Sequence, residues 1–397
     1  MTNRAINWIS ASLAAFACVT PSLAIDEAHY RQARQMIEKS IDYLRAQQDP
    51  ATGGWAVAPQ GPKIPAISAL VLNGLLMEPD IDPNDPTVER GVDFILSFQQ
   101  PDGGIYDQIL ANYNTALSVS ALSRVNNARA GDAIEKAIPF LRRLQWSEDS
   151  NEMKGETGKV DQSHPFYGGV GYGDHGRPDN SNLNLMLQAL HDAGVDCDDQ
   201  AFKRAVVFLQ RTQMVDEFND QPYADGTNQG GFIYATADSG EHVGQGESKA
   251  GMIEETLDDG TRISRLRAYG SITYAGFKSY IYANLDRDDP RVQAAYHWIG
   301  ENYTLEENPG VGTDGLYYYF VTFSRALDAW GMTTIPVYSQ DAKASPVEHD
   351  WANDLIDRLA TLQNDDGSFK SVDSRWMEDN PVLITAYSLL ALQHAID

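Results

Sequence analysis

The sequence predicts an all-α fold, an (α/α)6 toroid with six inner and six outer helices around a central cavity. Three observations carry this expectation. Helical segments alternate along the chain between amphipathic ones and ones apolar nearly all round. A turn of glycines followed by an aromatic residue lies inside nearly every pair. The last inner stretch, Val382 to Leu392, is as apolar as the middle ones, whereas an open stack would need polar ends. Closing six pairs into a ring removes that need.

In chain order, Asp26 to Gln48 reads as an outer helix and Ile64 to Met77 as its inner partner. Asp85-Pro86 opens the second pair, a cap followed by proline at the first helical position. Its inner helix runs from about Asn112 to Val125. The third outer helix runs from near Asp132 to Trp146, and its inner partner from about Ser181 to Ala193. The fourth pair is Asp199 to Gln213 and Tyr269 to Leu285, the fifth Asp289 to Tyr303 and Leu316 to Trp330. Glu348 to Gln363 and Val382 to His394 make the sixth. Residues 25–397 read as one domain, with loop insertions at about 147–166 and 215–267 and a surface connection at Gly331 to Ser345. Long loops in a compact fold commonly carry function.

The chain has 397 residues, 42% of them hydrophobic, and a formal net charge of −26. That acidity disfavours nucleic acid, anionic membrane surfaces and polyanionic sugars as partners. Residues 1–24 read as a secretory signal, with Arg4, an apolar run from Ile9 to Thr20 and Ser22-Leu23-Ala24 at the cleavage site. The run is too short to span a bilayer. The expected address is periplasmic or secreted, with no transmembrane segment. Cleavage removes Cys18 and leaves Cys197 alone, so stability must come from packing.

Gln48…Gly54-Trp55, Gln100…Gly104-Ile-Tyr106 and Gln363…Gly367-Ser-Phe369 resemble the Gln-Trp repeats of squalene cyclases and protein prenyltransferase β subunits. Tyr269-Gly-Ser-Ile-Thr-Tyr-Ala-Gly, Asn308-Pro-Gly and Arg375-Trp-Met-Glu further resemble exported bacterial prenyltransferase/squalene oxidase repeat proteins. The resemblance covers nearly the whole chain after the leader and implies the toroid. Glycine supplies a left-handed turn and glutamine bonds freed helix ends, a structural job.

The chemistry that the resemblance implies is not matched. Squalene cyclases protonate an alkene with the middle Asp of an Asp-x-Asp-Asp motif. Here Asp196-Cys-Asp-Asp199 and Asp286-Arg-Asp-Asp289 fall at outer-helix starts, where capping accounts for them, and Asp198 is the expected cap. The Asp-x-Cys spacing of the prenyltransferase zinc site is missing, and two neighbouring residues such as Asp174-His175 are weak metal evidence, so neither metal nor cofactor is expected. The chain has no Gly-x-Ser-x-Gly elbow and no phosphate loop.

The residues entering the inner helices remain. Tyr113, Asn182, Ser271, Tyr274, Lys278, Tyr318 and Trp376 are the expected ligand-binding set, with Asp179, Glu378 and Asp379 as candidate acids. Lys278 is the one charge in an otherwise uncharged helix. It is expected to point into the cavity and pair with one of those three carboxylates. A small or linear ligand, an isoprenoid or other lipid, fits this mouth. A cyclase or isomerase using a non-standard carboxylate, a glycan lyase or hydrolase of the toroid type, and a structural or partner-binding protein stay open.

Overall fold

Short polar side chains start every outer helix. The computed structural model describes residues 25–397 apart from 151, 154, 155, 174, 175, 239–241, 257, 258, 340 and 342; the leader expected at 1–24 lies outside the described residues. The helices are numbered α1 to α12 in chain order. Asp26, Asp85 and Asn127 accept backbone N–H bonds at the starts of α1 (Glu27–Ala46), α3 (Pro86–Leu96) and α5 (Ala128–Leu144). Asp199, Asp289 and Asp350 do the same for α7 (Gln200–Thr212), α9 (Pro290–Glu301) and α11 (Trp351–Leu362). The capping reading of the two Asp-x-Asp-Asp stretches therefore holds, with one correction. Asp199, not Asp198, caps α7, bonding the Ala201 N–H at 2.8 Å and Arg142 at 2.6 Å. Asp198 points to solvent beside Lys203. A cap must directly precede the first helical residue, and of the two adjacent aspartates only the second does.

The inner helices are α2 (Pro65–Leu76), α4 (Ala111–Leu122), α6 (Asn180–Asp192), α8 (Gly270–Tyr282), α10 (Leu316–Trp330) and α12 (Pro381–Ile396). Each packs against the next, and α12 packs against α2, which closes the ring. Outside, α1 packs against α11 and α12 across the seam between the chain ends. The tyrosine run 317–319 lies in α10, at helical rather than strand geometry.

A repeated device ties the outer layer together. Gln48, at the end of α1, donates to the Gly53 carbonyl in its own turn and to the Thr87 carbonyl in the first turn of α3, both at 2.8 Å. Gln145 joins Gly168 to Ala201 of α7, and Gln213 joins Gly230 to Arg291 of α9. Gln363 reaches Met36 of α1 at 2.9 Å, so the same bond spans the seam. In the second repeat the equivalent residue is Gln99, which bonds Gly103; Gln100, singled out from the sequence, bonds the nearby Phe98 and Tyr106 carbonyls instead. The glycines are obligatory. A Cβ at Gly168 (φ +84) would stand 1.9 Å from the Arg204 carbonyl oxygen, and one at Gly367 (φ +88) 2.1 Å from that of Lys39.

The insertions are not wholly irregular. Antiparallel pairs form between Gln213–Val215 and Asn228–Phe232, Ala235–Asp238 and His242–Glu247, and Met252–Thr256 and Arg262–Leu266. Thr334–Val337, inside the expected surface connection, pairs with Val347–Asp350 just beyond it, so α11 starts at Trp351 and not at Glu348. Among the described residues no helix is long and apolar enough to cross a membrane.

Candidate functional site

The third residue of every inner helix faces the ring axis. These are Ile67, Tyr113, Asn182, Ile272, Tyr318 and Leu383, and all six line a cavity of about 280 Å³. One further turn along, Leu185 and Tyr387 continue the wall. Side chains from loops complete it: Tyr172, Tyr234 and Lys249 from the segments before α6 and α8, Tyr269 at the start of α8, and Trp376 before α12. The wall is thus mainly tyrosine and aliphatic carbon with a few polar groups, as small-molecule sites commonly are.

All six inner helices enter at this mouth, where their first N–H groups need acceptors. Neighbouring elements supply several. Asn114 of α4 accepts from Ala66 of α2 at 3.1 Å, and Asn308 accepts from Ser271 of α8 at 2.8 Å. Glu378 accepts from Tyr317 and Tyr318 of α10 at 3.1 and 2.8 Å. Asp179 and Asn380 cap their own helices, α6 and α12.

Glu378 lines the cavity and is fully buried. Burial raises its carboxyl to about 7, against the bonds from Tyr318 and Tyr317, which favour the ionised form. Asp179 is also buried but stands behind Asn182, whose backbone and side-chain N–H groups it accepts at 2.9 Å. Burial lifts it to about 6. Tyr234 lies between two cations, with the Arg177 guanidinium 5.3 Å and the Lys249 ammonium 4.6 Å from its ring centre. Both cations bond Glu247.

Of the residues expected from sequence, Tyr113, Asn182, Ser271, Tyr318, Trp376 and Glu378 line this cavity. Tyr318 donates to Ser181 at 3.2 Å, and the Tyr113 and Tyr387 hydroxyls are 3.4 Å apart. Trp376 is half exposed at the rim beside Arg375, which bonds Asp314 at 2.7 Å. Three expectations need correction. Tyr274 packs among Tyr319 and Phe323 in the helix layer, because the fifth residue of α8 points away from the axis. Asp379 is exposed and borders an open groove with Asn380 and Pro381 outside the ring. Lys278 faces the axis but lies two turns below the mouth, out of reach of the expected carboxylates. It donates to Gln188, and Gln188 in turn bonds Asp192 at 2.7 Å. Asp174 and His175 lie outside the described residues. Tyr172, Tyr234, Lys249 and Tyr387 were missed. Tyr387 was within reach, since it follows the third residue of α12 by one turn, but the loop residues carry no such spacing.

Among the described residues no group of three or more His, Cys, Asp or Glu side chains is placed to hold a metal ion, and Cys197 is exposed and free.

Residues 60–238 match the family model for the squalene-hopene cyclase C-terminal domain. No curated protein matches the chain. Among solved structures, the GH76A alpha-1,6-mannanase of Salegentibacter sp. HEL1_6 is similar over 92% of this chain and 98% of that one, at 11% identity and a TM-score of 0.54. An inactive variant of that enzyme in complex with alpha-1,6-mannotriose gives the same figures. A variant of the type II terpene cyclase MstE from Scytonema covers 94% of this chain and 99% of its own, at 12% identity and a TM-score of 0.34. The family match bears out the cyclase-repeat resemblance, and the mannanase likeness supports the toroid fold alone.

Proposed function

We propose that this chain binds a ligand with an apolar body, an isoprenoid or another lipid, in the central cavity of its toroid. One observation carries the reading: the third residues of the inner helices and the turns that follow them line the axis with tyrosine and aliphatic side chains. Aromatic rings bury a large area at little entropic cost and tolerate a flexible chain. The apolar leader sequence adds an exported address, periplasmic or secreted. The measurement is titration calorimetry with farnesol and with alpha-1,6-mannotriose. Farnesol is expected to bind and to be displaced in Leu185→Trp, which fills the cavity. Binding of the trisaccharide alone would replace this reading with the glycan one.

Turnover is a second reading, drawn from Glu378. A buried carboxyl raised to about 7 holds its proton near neutral pH and borders the cavity. Product formation from a polyprenol, lost in Glu378→Gln while binding persists, would establish an isomerase or cyclase; unchanged polyprenol after prolonged incubation would leave binding alone.

A further inference from the structure

Below the main cavity lies a second, much smaller one of about 20 Å³. Tyr113, Leu185, Tyr318 and Tyr387 line both, so the small pocket is the floor of the large one. Its other walls include Lys278 of α8, Arg325 of α10 and Asn184 of α6. The two cations are 1% and 7% exposed. Neither forms an ion pair among the described residues. Lys278 has the neutral Gln188 carbonyl and the Tyr282 ring face, 5.0 Å away. Arg325 donates its Nε to His394 at 3.3 Å, and neither terminal guanidinium nitrogen has an acceptor among the described residues.

Asp192 is the carboxylate that acts on both cations, and Asp328 bonds His394 at 2.7 Å. Neither carboxylate bonds either base directly among the described residues. Burial first, then the Arg325 charge, hold the Lys278 ammonium well below its usual range. An unpaired buried guanidinium cannot take that escape, because it does not give up its proton. Leaving such donors unmet is costly, and a charge-assisted acceptor removes the cost. The mouth offers less: Asn114, Asp179, Asn308, Glu378 and Asn380 already occupy its helix starts.

We propose that the floor pocket between Lys278 and Arg325 is a site for a small monoanion, either the carboxylate end of the cavity's ligand or a free halide. The carboxylate arm rests on the cavity reading above. A pocket of about 20 Å³ admits one water-sized group, which suits a halide or a carboxylate oxygen and excludes sulfate or phosphate. A carboxylate seated there places its chain past the four shared side chains and up into the tyrosine-lined space.

The test uses the purified full chain with decanoate, 1-decanol and sodium bromide as probes. Decanoate is expected to bind at least about tenfold more tightly than decanol, or about 1.4 kcal/mol. Lys278→Met and Arg325→Met should each abolish that preference while decanol binding persists. Crystals grown in bromide should show anomalous density between Lys278 and Arg325, and sulfate should leave no density there. Bromide density without a decanoate preference assigns the site to the free ion, and preference without bromide density assigns it to the ligand's head. Bromide density with neither decanoate nor decanol bound removes the cavity reading and keeps the anion site. Equal binding of decanoate and decanol with no bromide density overturns the site and leaves the cavity reading intact. A preference that survives in a folded Lys278→Met protein also overturns it; where a variant does not fold, the wild-type arms decide.

Discussion

Glu378 holds two jobs that oppose each other. It accepts N–H bonds at the start of α10, which favours its ionised form, and it is fully buried, which favours the neutral one. Burial wins, lifting it from an ordinary 4.5 to about 7. Between those values the folded state binds more protons than the unfolded chain, so stability falls as pH rises from about 4.5 to about 7 and is level above. The fall is on the order of 3 kcal/mol. Asp179, lifted from 3.8 to about 6, acts in the same direction over a lower window. Glu378→Gln should therefore flatten the profile between about pH 6 and 7, reduce its slope between about 4.5 and 6, where Asp179 still contributes, and leave it unchanged below about 4.5. Chemical denaturation at a series of pH values checks this, and an unchanged slope in the variant would refute it. The sequence allowed Glu378 to be named, because it falls among the polar and aromatic residues that enter the inner helices. It could not separate Glu378 from Asp379, because neighbouring residues in an irregular turn have no periodicity to say which one points inward.

At the scale of the element, helix periodicity settles most of what faces the axis. The third residues of the six inner helices line the cavity, and the fifth residue of α8 does not, which is why Tyr113 and Tyr318 are wall residues and Tyr274 is core. In the uniformly apolar α8 the sequence shows no polar face to fix the rotation, so Tyr274 was assigned to the cavity with Ser271. The hairpins of the 215–267 insertion escaped for a different reason: their strands are short and half exposed, and pairing across the turn is not legible from composition. The distinction between Tyr274 and Tyr318 is measurable. Tyr274→Ala removes a fully buried ring and should cost about 3–5 kcal/mol of stability, with farnesol binding by the folded fraction unchanged. Tyr318→Ala should weaken farnesol binding at least about tenfold. Denaturant melts paired with calorimetry decide it, and the reverse pattern would put α8 in the wrong rotation.

At the scale of the whole molecule, what matters is that the ring has no ends. The closure was legible in the sequence because the last inner helix is as apolar as the middle ones, and the structure gives that surface a partner in α2. The outer layer closes with the same bond used elsewhere: Gln363 joins α11 to α1 as Gln213 joins α7 to α9. Each glutamine ties its own turn to a carbonyl of the next outer helix, a bond with a net worth of about 0.5–1.5 kcal/mol. In an open stack the terminal pairs would touch one neighbour, open locally and contribute little to global stability. In a closed ring a break at the seam is like a break anywhere else. Gln363→Ala should therefore lower global stability by about as much as Gln213→Ala. Native-state hydrogen exchange should give α2 and α12 the same opening free energy as α6 and α8. Exchange of α12 at a much smaller free energy, with Gln363→Ala leaving global stability untouched, would mean that the two ends of the chain meet without cooperating.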